Sequence, residues 1–107
     1  MTLQDLKQRS EKAGFKYAYG QFKRATEPPH LVAIATGTDN FMADNKVYLK
    51  KIPIQLDYTY LTKDIDMQNK IENEILGDIA WNKSDETYLT DEEVWQVSYF
   101  FEFMEEE

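Results

Sequence analysis

The sequence predicts an α+β domain: a single antiparallel-leaning mixed sheet with two helices packed on one face, in the order α-β-β-β-α-β-β. Three observations carry this. Residues 3–13 and 62–76 place apolar side chains at helical spacing, while Phe15–Tyr19, Ile52–Tyr60 and Val94–Met104 alternate with a period of two. Gly14, Pro28-Pro29 and Gly77 stand at the joints between these stretches. A chain of 107 residues with seven Tyr, six Phe and two Trp has the length and the apolar content for one core.

Thr2 and Asp5 form an approximate capping box for a first helix with Leu3, Leu6, Ser10 and Ala13 on one face. Gly14 stands where a left-handed terminator belongs. Phe15, Tyr17 and Tyr19 then alternate with Lys16, Ala18 and Gly20, as a half-buried strand does. Pro28-Pro29 blocks helix and leads into the apolar run Leu31–Ala35, suited to a central strand. Residues 37–45 are rich in Gly, Thr, Asp and Asn and predict a turn-rich loop that carries Phe41 and Met42.

A long strand follows over Val47–Leu61, with Ile52, Ile54, Leu56, Tyr58 and Tyr60 on one face. Lys50-Lys51 suggests a bulge in it, and Pro53 an edge position for part of its length. Thr62 can cap a second helix that buries Ile65, Met67, Ile71, Ile75 and Leu76 and ends at Gly77. Ile79–Asn82 is a short strand candidate and Lys83–Thr90 a hairpin or loop. The last strand, Val94–Met104, turns Trp95, Val97, Tyr99, Phe101 and Phe103 to one face, before an acidic tail at about 105–107. No linker or repeat interrupts residues 1–107, which read as one domain.

The chain has no cysteine, which excludes disulfides, thiolate metal sites and a thiol nucleophile. His30, the only histidine, lacks a nucleophile-elbow partner among Ser10, Ser84 and Ser98, so packing beside Pro-Pro accounts for it. Asp39, Asn40, Asp44 and Asn45 do not follow calcium-loop spacing and suit turns. Asp64/Asp66 and Glu72/Glu74 lie two apart on a helix and do not face one another. Asp91-Glu92-Glu93 reads as a solvated turn. No glycine-rich phosphate cradle is present. The reading is of a non-enzyme with no cofactor and no metal.

Net charge is −8, divided unevenly. Residues 1–51 hold nine Lys/Arg against five Asp/Glu, a balance of +4, and residues 52–107 hold three against fifteen, a balance of −12. The total opposes phosphate binding and therefore nucleic acid, despite a small basic-aromatic cluster of Lys16, Lys23 and Arg24 with Tyr17, Tyr19 and Phe22. The bland reading of the acidic residues is solubilising surface with a frayed Glu105-Glu106-Glu107 tail; the other is that unlike halves attract further copies head-to-tail. No apolar run reaches membrane-spanning length, and the polar start Met1–Gln8 does not read as a signal peptide, so the expected place of folding is the cytoplasm.

The segments Ala18-Tyr19-Gly20-Gln21-Phe22, Pro28-Pro29-His30-Leu31-Val32 and above all Asp39-Asn40-Phe41-Met42-Ala43-Asp44-Asn45-Lys46-Val47-Tyr48 resemble small tail-completion or tail-terminator proteins of long-tailed (siphovirus-type) bacteriophages and prophages of Gram-positive bacteria. The similarity extends through Ile54–Thr59 and the Tyr/Phe-rich last strand. It implies a small α+β protein that forms a homo-oligomeric ring, contacts other tail or neck proteins, and resides in the virion tail after assembly in the host cytoplasm. It implies neither catalytic residues nor a cofactor. A head-closure or neck adaptor of the same particle and a monomeric cellular protein-binding module are the alternatives. Candidate contact residues are Lys23 and Arg24, facing an acidic C-terminal surface on the next copy, and Phe41 and Met42 as an apolar docking pair, the alternative for that pair being a plug folded back over the core. The strand holding Pro53 or the last strand could add backbone pairing.

Overall fold

The computed structural model describes residues 2–37, 39–43 and 46–106, and the side chains of residues 2–37 and 51–103. It is an α+β chain with one mixed sheet. Helix α1 (Leu3–Lys12) leads to β1 (Lys16–Tyr19), β2 (His30–Ala35), β3 (Asp39–Ala43) and β4 (Lys46–Tyr60). Helix α2 (Ile65–Lys70) continues as a π-helical segment, Ile71–Ile75, before β5 (Asn82–Lys83), β6 (Thr87–Leu89) and β7 (Val94–Glu106). The described order therefore holds two strands more than the sequence predicts, β3 and β6.

The sheet runs β1-β2-β4-β7-β5, with β3 also on β4 and β6 also on β7. Among the described residues only β1 and β2 pair in parallel; the other pairs are antiparallel. Strand β4 holds fifteen residues, which at about 3.3 Å each span roughly 50 Å. That matches the long axis of a molecule measuring 50 × 27 × 27 Å. The radius of gyration, 15.0 Å, exceeds the roughly 13 Å of a compact domain near this length.

The period-two pattern decides what β2, β4 and β7 bury. Leu31 and Ala33, Leu56 and Tyr58, and Val97 and Tyr99 are all sealed from solvent. Leu6 of α1 and Ile71, Ile75 and Leu76 join them in one cluster. Tyr58 stacks on Tyr60 at 4.9 Å and meets Phe15 edge-on at 6.0 Å.

The ends of α1 form as the sequence predicts. Asp5 N–H donates to Thr2 Oγ1 (3.1 Å) and Thr2 N–H to Asp5 Oδ2 (3.0 Å). At the other end Gly14 adopts φ +93°. Its N–H donates to the Glu11 carbonyl while Phe15 N–H donates to that of Ser10, the paired bonds of a Schellman stop. The buried Ser10 hydroxyl turns back to the Leu6 carbonyl at 2.8 Å. Arg9 ties α1 to the far end of the second helix. It donates to the Ile75 carbonyl and makes two bonds, 2.6 and 3.0 Å, to Asp78. That pair raises the Arg9 guanidinium pKa and lowers that of the Asp78 carboxyl.

Several expectations need correction. Pro53 does not mark an edge: β4 is central, with β7 along one side and β2 and β3 in turn along the other. Its carbonyl accepts from Thr36 N–H (2.9 Å) on the β2/β3 side. Proline thus stands in the gap between Ile54, the last position paired with β2, and Lys51, the first paired with β3. A missing N–H costs no ladder bond there. The bulge lies at Tyr48, not at Lys50-Lys51: Phe41 opposes Leu49 and Met42 opposes Val47, and both lysines pair in register.

Asp64, not Thr62, caps α2, its Oδ1 accepting from Asp66 and Met67 N–H (3.0 and 3.4 Å). Ile65 is exposed and the buried stripe passes through Gln68 instead. The short strand predicted at Ile79–Asn82 is confined to Asn82–Lys83. Strand β7 continues to Glu106, so Glu105 and Glu106 belong to the sheet, opposite Lys50 and Leu49. Trp95 is half-exposed and meets Tyr88 edge-on at 5.2 Å.

Candidate functional site

The loop between β1 and β2 holds Lys23 and Arg24, both exposed, as a basic projection. Phe22 beneath them meets the His30 ring edge-on at 5.0 Å, and Lys16 Nζ donates to the Glu27 carbonyl. Phe41 and Met42 do not lie in a turn-rich loop: their backbone forms part of β3, on either side of the bulge. Asp39 and Asn40 share that strand, whereas Asp44 and Asn45 lie outside the described residues.

The predicted contact residues are not brought together. His30, at the base of the basic loop, pairs with Thr59, while Phe41 and Met42 pair with Leu49 and Val47. Along β4, Thr59 lies ten residues from Leu49 and twelve from Val47, roughly 33–40 Å of strand. They can therefore serve two contacts, not one.

His30 is a packed residue. Its Nδ1 is buried without a partner, and burial, with Lys16 nearby, lowers its pKa. A neutral ring against Phe22 fits that setting. The three serines are engaged elsewhere. The Ser10 hydroxyl bonds within α1, the Ser84 hydroxyl accepts from Ser98 N–H, and the Ser98 hydroxyl donates to Asp57 Oδ1.

A polar network fastens α2 to the sheet, and the sequence reading missed it. Lys83 Nζ donates to Gln68 Oε1 (2.7 Å) and Glu72 Oε2 (3.0 Å), and the Tyr99 hydroxyl donates to Glu72 (2.8 Å). Gln68 Nε2 donates to Glu86 Oε1 (2.8 Å), which Lys63 also holds (3.1 Å). The Tyr60 hydroxyl faces the same carboxylate but closes no hydrogen bond of good geometry. The signal in the sequence is the run Gln68, Ile71, Glu72 and Ile75, spaced at three and four residues.

The neighbouring Tyr60 hydroxyl, Gln68 amide and Lys63 ammonium hold the Glu86 carboxyl down at about 2. Burial pushes the Tyr60 and Tyr99 phenols up, helped at Tyr60 by Glu86 and at Tyr99 by Glu72. Both phenols stay protonated, the Glu86 carboxylate stays ionised, and Glu72 is held by Lys83 and Tyr99, which suits a fastening and supplies no free base or nucleophile.

This network has a pH signature. The Glu86 carboxyl is depressed from an ordinary 4.5 to about 2. Its stabilisation is therefore complete above pH 4.5 and disappears as pH falls through 2. Thermal melts between pH 6 and 2 should show Glu86→Gln with a flatter decline than the parent chain over that window. Parallel curves would contradict the assignment.

The second surface lies at the far edge of the sheet. Strand β7 is flanked on its outer side by β6 at Val94–Gln96 and by β5 at Tyr99–Phe100. Beyond Phe100 no described strand adjoins that edge. An open groove of about 560 Å³ lies there, with Pro53, Trp81, half-exposed Phe100 and Glu102 among its walls. Trp81 is anchored edge-on to Tyr99 at 5.5 Å. Sequence periodicity put Phe100 and Glu102 on one strand face but gave no sign that the edge beside them is open. No protein-family model matches the chain, and no curated protein does either.

Proposed function

We propose that the chain is a structural tail protein of a long-tailed bacteriophage or prophage. It acts as a terminator or completion protein that assembles into a homo-oligomeric ring and contacts neighbouring tail or neck proteins, without catalysis. The particle tail is its final location. What supports the reading is a sheet whose two sides differ in charge: the exposed basic Lys23-Arg24 loop beside β2 and an acidic β7 carrying Glu102, Glu105 and Glu106. A ring needs heterologous contact, one surface meeting a different one on the next copy. The resemblance of Asp39–Tyr48 supplies the particle. The same reading takes both helices as one layer over Leu31, Leu56 and Tyr99, which leaves the strand edges and the opposite face to partners.

Charge reversal tests it. Lys23→Glu with Arg24→Glu should lower the native mass toward one chain at 0.1 M salt, while leaving the melting temperature nearly unchanged, because both side chains are exposed. Wild-type multimers that survive the double reversal would remove the basic loop from the interface.

A further inference from the structure

Resting on that reading, we infer that the open outer edge of β7 from Phe101 to Glu106 receives strand β1 of a second copy, extending the sheet from one subunit into the next. The backbone geometry identifies which groups are free. Ser98 turns outward: its N–H donates to Ser84 Oγ (2.9 Å), and its carbonyl accepts from Ser84 N–H (2.8 Å). By the two-residue period of a strand, Glu102, Met104 and Glu106 present their N–H and C=O groups on that same side. Among the described residues no strand lies beside them.

Charge selects the partner. Glu102 is exposed on this stretch and the strand's sequence continues through Glu105 and Glu106; acidic residues along a free edge discourage indiscriminate strand addition. An incoming strand must therefore bring cations. Strand β1 stands at the opposite edge of the same sheet and pairs only with β2. It opens with exposed Lys16 and is followed by exposed Lys23 and Arg24. Its four residues fit within the six of the free β7 edge. Half-exposed Tyr19 supplies an aromatic ring for a groove walled by Pro53, Trp81 and Phe100. Opposite edges of one sheet cannot satisfy each other within a subunit, so the contact is head-to-tail and repeats from copy to copy.

The chain has no cysteine, so engineered crosslinks report the pairing directly. On mild oxidation the double variant Ala18→Cys/Glu102→Cys should give a ladder of covalent dimers, trimers and higher species, and each single variant at most a dimer. Independently, Glu102→Pro removes an outward N–H and leaves the β4 ladder intact. It should lower the native mass to that of one chain, with a melting temperature within a few degrees of the parent. A wild-type multimer that yields no ladder and tolerates Glu102→Pro would overturn the strand pairing while leaving the ring reading in place. A wild-type chain of single-copy mass at every concentration would overturn both.

Discussion

Leu56→Ala is expected to destabilise the domain by about 2–5 kcal/mol, near the upper end of that range. Leu56 sits in the middle of β4, opposite Ala33 of β2 and Tyr99 of β7, and all three are sealed from solvent. Strands on both sides hold the backbone, so the space left by the lost atoms cannot collapse. Domains of this kind are stable by only about 5–15 kcal/mol in total. A 3 kcal/mol loss corresponds to a fall in melting temperature of roughly 12–24 °C. The contrast is Leu61→Ala one residue past the strand, where the side chain is 59% exposed, with an expected change within about 0.5 kcal/mol. Denaturant melts of the two variants side by side provide the check. Equal midpoints would mean that Leu56 is not at the centre of the core.

Gly77→Ala should be the second severe change, by about 1–3 kcal/mol or more, for a reason unrelated to backbone freedom. Its φ is not positive. A Cβ there would instead lie 2.2 Å from the Asn73 carbonyl oxygen, a backbone atom of the π-helical segment that cannot swing aside. The π geometry, closed by Leu76 N–H donating to the Ile71 carbonyl (3.0 Å), brings that carbonyl close. The added methyl must unwind the last turn and loosen Ile75 and Leu76, both fully buried. A circular dichroism melt indistinguishable from the parent would contradict the close approach. Gly14 differs: an alanine there meets no atom within 4 Å and is disfavoured by the left-handed conformation alone.

Local chemistry made part of this fold legible in the sequence. The capping box and the Gly14 stop follow from residues three to five apart, and the buried faces of β2, β4 and β7 follow from alternation. Features set by distant pairing did not appear. Residues 39–43 carry turn-forming Asp and Asn, yet the partner strand Lys46–Lys51 recruits them into β3, as tertiary pairing overrides propensity. Pro53 suggested an edge because its sequence neighbours cannot disclose that two different strands share one side of β4, with a gap between them. In α2, apolar Ile65 looked like core. The buried stripe nevertheless follows Gln68, Ile71 and Ile75, because Gln68 finds Glu86 and Lys83 and can be buried once bonded.

The contact residues were legible as chemistry and not as geometry. Lys23 and Arg24 were readable as exposed cations, and they are exposed. Phe41 and Met42 were readable as an unusual apolar pair, but their place along the sheet, far from the basic loop, depends on the register of β3 against β4. The open β7 edge is a property of where β5 stops, which no residue in β7 encodes.

Native mass, followed by sedimentation equilibrium over a wide range of protein concentration and at low and high salt, tests head-to-tail assembly most directly. A closed multimer of fixed stoichiometry that forms with rising concentration, and loosens as salt screens the basic loop from the acidic edge, is the predicted result. A single-chain mass at every concentration and every salt would contradict it.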